Sequence, residues 1–149
     1  YYKRIAPYYD KIIELVQDKG AQKLFYKEHG IPTSEFVLVE NANQLKKALK
    51  SERKVQKLRR GGYDGRGVQI VDGKSDLLSV FDQPSVLEDL VDIEKELSVI
   101  VARNPGGEVV SFPVVEMVFN PEANLVEILF SPAEISSSTE KSARKLSED

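Results

Sequence analysis

The sequence predicts an α+β fold built in two sections. Helical and strand-like segments alternate up to Val91, and from Asp92 onward strands joined by short turns dominate. Because turns of this length form hairpins, the strands are expected to pair antiparallel, which argues against a doubly wound parallel sheet. A chain of 149 residues is long enough to bury a core, either as one domain or as two small lobes.

Composition narrows the class of protein. Hydrophobic residues make up 41% and charged residues 30% of the chain, which are values of a globular domain. The net charge of -3 and the absence of a basic face argue against a nucleic-acid partner. The sequence has no cysteine and one histidine, which excludes disulfides and thiolate chemistry and argues against a zinc site. With no long apolar run and no signal peptide, the expected location is cytoplasmic, without a membrane partner.

Three helices are predicted before the centre of the chain. The first covers residues 10–17, because Ile12, Ile13 and Val16 share one face, and residues 1–9 show no clear periodicity. Asp18 is the expected N-cap of a second helix over 19–29. A third begins after Asn41, whose spacing to Gln44 is typical of a capping pair.

Strands are predicted on either side of these helices. In the first section they cover residues 36–39, 55–58, 68–71 and 85–91, and a short helix is expected after Ser75. In the second section three longer strands are predicted over residues 97–102, 109–118 and 125–130. Asn104-Pro105-Gly106-Gly107 is expected to form a hairpin turn. Ser137 and Glu140 predict the capping box of a final helix.

The most informative stretch is Gln-Lys-Leu-Arg-Arg-Gly-Gly-Tyr-Asp-Gly-Arg-Gly-Val, residues 56–68. Glycine tolerates backbone conformations that turn N–H groups toward an anion, and a loop rich in it can close over a ligand. Lys57, Arg59, Arg60 and Arg66 bring positive charge to the same place. The stretch therefore predicts a cationic lid over a polyphosphate.

A structural interpretation competes with this one, since Tyr63-Asp64-Gly65 is also typical of an Asp-Gly turn between two strands. Two common phosphate motifs do not fit. The order Gly62, Gly65, Gly67 runs opposite to the dinucleotide fingerprint, and Gly73-Lys74-Ser75 lacks the glycine that a P-loop needs at Val68.

The string Arg-Arg-Gly-Gly-Tyr-Asp-Gly-Arg-Gly resembles the glycine-rich loop of ATP-grasp enzymes, most closely that of the 5-(carboxyamino)imidazole ribonucleotide synthases. Residues 17–23, 30–33, 94–103 and 112–116 resemble the same family. The resemblance implies an ATP-grasp nucleotide-binding lobe with an antiparallel sheet, plus part of the larger lobe. Residues 1–17 would end a preceding domain or form a linker helix, 18–91 the small lobe, and 92–149 a truncated larger lobe.

The resemblance also implies which residues bind ATP. Lys19 and Lys57 would contact its phosphates, and a lid would fold over them, formed by Gly62, Tyr63, Asp64, Gly65, Arg66, Gly67 and Val68. The adenine would meet a hinge formed, largely through backbone groups, by Glu88, Asp89, Leu90 and Val91. Glu96 would accept the ribose hydroxyls. Any one of these charged residues alone would be interpreted as a solvated side chain. Their occurrence together, in the order found in the family, supports their assignment to ATP binding.

For the full-length protein the resemblance implies a ligase of de novo purine biosynthesis. It would carboxylate 5-aminoimidazole ribonucleotide with bicarbonate and ATP, giving 5-(carboxyamino)imidazole ribonucleotide, ADP and phosphate. The Mg²⁺ ligands and the catalytic residues are expected outside these 149 residues. This chain alone is therefore expected to be inactive. The full-length enzyme is expected to form a homodimer.

Two alternatives stay open. Another ATP-grasp ligase, of the formate-using transformylase or biotin carboxylase type, would share the nucleotide site and differ in the acid substrate that it accepts. A non-catalytic nucleotide-binding module would bind ATP without turning it over.

Overall fold

The computed structural model describes residues 2–49, 52–62, 66–72, 79–123 and 125–149, with side chains from Tyr9 onward. The chain divides into two compact units, Tyr1–Val91 and Asp92–Asp149. Every strand pair in the described parts is antiparallel, and four helices accompany the strands. The predicted α+β class is thereby confirmed. None of the helices in the described parts is long and apolar enough to cross a membrane.

The helices of the first unit are α1 (Tyr2–Gln17), α2 (Lys19–Glu28) and α3 (Ala42–Ala48). The predicted start of α1 at Asp10 was wrong. The helix extends back through Pro7, which removes one backbone hydrogen bond without ending it. The predicted caps are confirmed, because Asp18 accepts the Gly20 and Ala21 amides and Asn41 accepts that of Gln44.

The strands of the first unit are β1 (Phe36–Val39), β2 (Lys54–Leu58), β3 (Val68–Val71) and β4 (Ser85–Asp89). They form one sheet in the order β1-β4-β2-β3. The prediction that β4 runs to Val91 was wrong by two residues. The last pairs that β4 makes with its neighbours are Phe36 opposite Glu88 and Lys54 opposite Asp89, so no strand in the described parts lies beside Leu90 and Val91.

The two faces of this sheet carry different chemistry. One face packs an apolar core with α3, formed by Val39, Leu45, Val71 and Leu87. Since successive side chains of a strand point to opposite faces, Lys57 and Glu88 project from the other face. Lys57 lies opposite Val86, two residues before Glu88, which places the two charged side chains on a cross-strand diagonal.

A fully buried amide fixes the segment that precedes β4. Gln56 Oε1 accepts from Phe81 N and Gln69 Nε2, while Gln56 Nε2 donates to Phe81 O and Ser85 Oγ. A buried polar group that is satisfied in this way specifies one arrangement, because any other would leave it without partners. The helix predicted after Ser75 falls mostly on residues 73–78, outside the described parts, and residues 79–81 are not helical.

The second unit contains β5 (Glu96–Ser98), β6 (Val101–Arg103), β7 (Val109–Ser111), β8 (Val115–Asn120), β9 (Leu125–Phe130) and α4 (Ser137–Glu148). β5, β8 and β9 form one sheet in that order, and β6 pairs with β7.

Two of the three long strands predicted here were wrong. Residues 97–102 and 109–118 are each divided between two sheets, so that β5 pairs with β8 and β6 with β7. Pro113 lies in the second break, and proline has no amide hydrogen to donate to a ladder. The predicted strand over 125–130 and the turn at Asn104 are confirmed.

The N-cap of α4 lies one residue earlier than predicted. Ser136 Oγ accepts from Thr139 N, so Ser136 and not Ser137 caps the helix. Glu140 pairs with Arg144 one turn along α4 instead of closing a capping box.

Candidate functional site

The glycine-rich stretch connects β2 to β3 as a hairpin loop. Lys57 pairs with Val68, and Leu58 N donates to Gly67 O at 2.8 Å. The connection between the two strands therefore runs from Arg59 to Gly67. Tyr63, Asp64 and Gly65, at its predicted tip, lie outside the described residues.

Two glycines bring the two sides of the loop close together. Gly62 and Gly67 have φ angles of 74° and 77°, in the left-handed region that favours glycine. A Cβ atom on Gly62 would lie 2.7 Å from Arg66 O, and one on Gly67 would lie 3.0 Å from the Gly62 Cα. Side chains at these positions would force the two sides of the loop apart.

An ion pair holds the start of the loop against α2. Arg59 Nε donates to Asp18 Oδ1 at 2.9 Å and Arg59 Nη2 to Asp18 Oδ2 at 2.7 Å. Asp18 Oδ1 also accepts from the first amides of α2. The Arg59 hydrogen bonds, with those amides, lower the pKa of the Asp18 carboxyl to about 2, against the opposing effect of its burial.

Backbone contacts extend this connection in both directions. Lys19 N donates to Arg59 O at 2.9 Å, and Lys19 Nζ lies 3.5 Å from Gly61 O. Arg59 N donates to Pro84 O, in the segment that Gln56 fixes. We call Asp18, Lys19, Arg59 and Gly61 the loop anchor; it places Lys19 beside the first glycine of the loop.

The loop anchor changes the expected role of one cation. Arg59, counted in the sequence among the charges available to a polyphosphate, is paired with Asp18 and lies 3.5 Å from Glu40. Arg60 is more accessible, since its side chain is 61% exposed although it lies 3.4 Å from Asp18. Gly20 permits this packing, because a Cβ there would lie 2.6 Å from Arg59 Nε.

A second cluster lies on the charged face of the sheet. Glu88 Oε2 accepts from Lys57 Nζ at 3.1 Å and from Ser34 Oγ at 3.0 Å, and lies 3.4 Å from Lys23 Nζ. The Glu88 side chain is only 8% exposed. We call Lys23, Lys57, Glu88 and Ser34 the lysine–glutamate cluster; its two lysines exceed its one carboxylate by a single positive charge.

The structure brings some predicted site residues together and leaves others apart. Lys19, Gly62, Arg66, Gly67 and Val68 belong to the anchored loop or its immediate surroundings, and Lys57 meets the side chain of Glu88. In the expected hinge, Asp89 pairs with Lys54, and Leu90 and Val91 are exposed beyond the end of β4. Glu96 lies in the second unit, on β5.

Sequence reasoning missed Lys23 and the role of Asp18 beyond capping. Lys19 and Lys23 are one helical turn apart, so they share a face of α2, and this spacing was the available signal. The partner of Asp18 could not be read from the sequence, because Arg59 is 41 residues away.

Within the described residues, no group of three or more His, Cys, Asp or Glu side chains could hold a metal ion.

An anchored glycine-rich hairpin with lysines on the adjoining helix and strand defines a candidate phosphate-binding lobe. Residues 24–149 match the ATP-grasp domain, and the chain belongs to the ATP-grasp family. The resemblance found in the loop sequence is thereby confirmed.

Individual relatives carry a more specific name. The N5-carboxyaminoimidazole ribonucleotide synthase of Brucella melitensis is 33% identical over 144 residues, which are 91% of this chain and 39% of that protein. The crystal structure of the synthetase from Thermotoga maritima is 37% identical with a TM-score of 0.74, covering 91% of this chain and 33% of that one.

A third relative was solved with ligands. The Aspergillus clavatus synthase, in complex with ADP and 5-aminoimidazole ribonucleotide, is 25% identical with a TM-score of 0.76, covering 93% of this chain and 37% of that one. The chain thus spans less than two fifths of each of these relatives.

The lowered pKa of Asp18 predicts a pH-dependent stability. A carboxyl whose pKa falls from 3.8 to about 2 on folding stabilises the folded state by about 2 kcal/mol above pH 4. Most of that stabilisation is lost as the pH falls from 4 to 2. Urea unfolding of the wild type and Asp18→Asn across this range measures it. A difference between the two proteins that is equal at pH 6 and pH 2 would contradict the ion pair.

Proposed function

We propose that this chain is the nucleotide-binding part of a ligase that carboxylates 5-aminoimidazole ribonucleotide with bicarbonate and ATP. The products are 5-(carboxyamino)imidazole ribonucleotide, ADP and phosphate, as in de novo purine biosynthesis. The observation that carries the proposal is the loop anchor, which fixes a glycine-rich hairpin beside Lys19. The names of the relatives, and the ADP complex of one of them, support the substrates.

In this proposal the chain binds and shields the nucleotide. Lys19 and Lys57 bind its phosphates, because an ammonium donates charge-assisted hydrogen bonds to phosphate oxygens. The loop, Gly62 to Val68, closes over them and excludes water, which protects a reactive phosphorylated intermediate from hydrolysis.

The remaining contacts complete the nucleotide site. The segment Glu88 to Val91 meets the adenine edge largely through its backbone; in support, Leu90 and Val91 lie beyond the last strand pairing of β4. Glu96 accepts the ribose hydroxyls. Residues 18–91 act as the small lobe, and residues 92–149 contribute part of the larger lobe.

The rest of the full-length enzyme belongs to the same proposal. Mg²⁺ ligands and catalytic groups lie outside these 149 residues, and bound magnesium would supply positive charge at the ATP phosphates. The enzyme works in the cytoplasm as a homodimer.

The alternatives differ in substrate or in turnover. A formate-using transformylase or a biotin carboxylase would keep the nucleotide contacts and use another acceptor or acid. The 33% identity to a named synthase over 91% of the chain favours the ribonucleotide carboxylase among these ligases. A non-catalytic nucleotide-binding module would bind ATP without releasing phosphate.

The substrate assignment predicts a strict requirement for both co-substrates. We expect the full-length protein to release phosphate from ATP only when bicarbonate and 5-aminoimidazole ribonucleotide are both present. A phosphate-release assay with each substrate omitted in turn checks this. Equal turnover with formate or biotin would contradict the substrate assignment. Tight ATP binding without turnover would favour the non-catalytic module.

If Lys57 binds phosphate, replacing it should weaken ATP binding more than replacing Lys54 on the same strand. Lys57→Ala is expected to weaken ATP binding roughly 10- to 150-fold, since a hydrogen bond from a charged group contributes about 1.5–3 kcal/mol. Lys54→Ala is expected to cost much less. Lys54 lies on the opposite face of β2, paired with Asp89 and Glu52.

Titration of the full-length variants with ATP measures both effects. Lys54 was expected in the connection before the strand, and the structure makes it the first residue of β2. This makes it a matched control of the same residue type in the same element. Equal losses of ATP affinity in the two variants would mean that the basic residues contribute only a diffuse electrostatic attraction.

A further inference from the structure

We propose that Lys23 is a positioning residue for nucleotide binding. It acts as the permanent counter-ion of Glu88, and so allows Lys57 to exchange this carboxylate for a phosphate group. The inference rests on the proposed function, because it takes Lys57 as a lysine that binds ATP. It concerns a side chain that neither the loop motif nor the resemblance singles out.

Several polar groups and one aromatic ring surround the ammonium of Lys23. Its Nζ donates to Thr33 Oγ1 at 2.6 Å and to Ser34 Oγ at 2.9 Å, and lies 3.4 Å from Glu88 Oε2. It also lies 5.7 Å from the centre of the Phe36 ring, within reach of a cation–π contact. Two of the three donors of its ammonium are used in these hydrogen bonds. With its side chain 13% exposed, Lys23 is a fixed charge.

Lys57 differs from Lys23 in exposure, in hydrogen-bond partners and in position. Its side chain is 34% exposed, and its hydrogen bond within the described residues goes to Glu88 alone, at 3.1 Å. It also lies on β2 one residue before Leu58, which closes the hairpin with Gly67. Of the two lysines, Lys57 is therefore the one that can turn from Glu88 to a ligand.

The charge of Glu88 decides whether it is favourable for the Lys57 side chain to leave Glu88 and bind a phosphate. A carboxylate that is 8% exposed is costly to leave without a partner. When Lys57 turns to a phosphate, Glu88 keeps its ion pair with Lys23 and its hydrogen bond from Ser34. Without the charge of Lys23, Lys57 would be the remaining cation of the lysine–glutamate cluster, and Glu88 would retain it.

This coupling predicts that the effect of a Lys23 substitution on ATP affinity depends on the residue at position 88. Lys23→Met is expected to weaken ATP binding about tenfold, which corresponds to about 1.4 kcal/mol. In a Glu88→Gln background the same substitution is expected to change affinity less than about twofold, because a neutral amide needs no counter-ion. Calorimetric titration of ATP into the full-length wild type, both single variants and the double variant measures the coupling.

Three further variants separate this role from a purely structural one. Lys23→Arg keeps the charge and is expected to retain most of the affinity. Lys27→Met removes an exposed lysine of the same helix and is expected to leave affinity unchanged. If thermal melting shows that Lys23→Met does not fold, Lys23→Gln carries the same prediction, since it removes the charge and keeps a polar group that can donate hydrogen bonds.

The outcomes are distinguishable. A loss from Lys23→Met that is equal in the wild-type and Glu88→Gln backgrounds overturns the inference, because a structural role of Lys23 predicts additive effects. So does unchanged affinity of Lys23→Met when Lys57→Ala binds ATP weakly. A wild-type protein that binds no ATP overturns the proposed function itself, and the inference with it.

Discussion

The ion pair between Asp18 and Arg59 is the interaction on which the rest of the candidate site depends. Without it, a loop with several glycines would have many accessible conformations, and ordering it on a ligand would cost conformational entropy. The bidentate contact fixes the first residue of the loop at the start of α2, in a largely buried setting. The protein thus keeps the base of the loop in place.

The position of α2 explains how one helix serves two clusters. Its N-cap, Asp18, and its first residue, Lys19, belong to the loop anchor, and Lys23 on the next turn reaches Glu88 on β4. The sheet separates these charges from its apolar core, since Lys57 and Glu88 project from one face while Leu45 of α3 packs on the other. The apolar core therefore lies on one face of the sheet and the lysine–glutamate cluster on the other.

Much of the fold was predictable because its signals are local. The caps at Asp18 and Asn41 and the hairpin around the glycines depend on residues within a few positions of each other. The errors came from tertiary pairing. The division of residues 97–102 and 109–118 between sheets, and the end of β4 at Asp89, are set by where neighbouring strands stop.

The same limit applies to the candidate site. The glycines and Lys57 were found from a contiguous string, which a family resemblance made specific. Arg59 was taken as a free cation because Asp18, its partner, is distant in sequence. Lys23 was passed over because a lysine on an amphipathic helix is usually solvated, and its burial becomes visible only once Glu88 is placed beside it.

Amide hydrogen exchange of the full-length protein, with and without ATP, tests most directly whether the anchored loop closes over a nucleotide. We expect fast exchange at residues 62–67 in the free protein and slowing by about tenfold or more when ATP is bound, since closure withdraws these amides from solvent. The amides of Lys19 and Arg59, hydrogen-bonded to Arg59 O and Pro84 O, are expected to exchange slowly in both states. Exchange at residues 62–67 that is already slow without ATP, and unchanged by it, would contradict the lid.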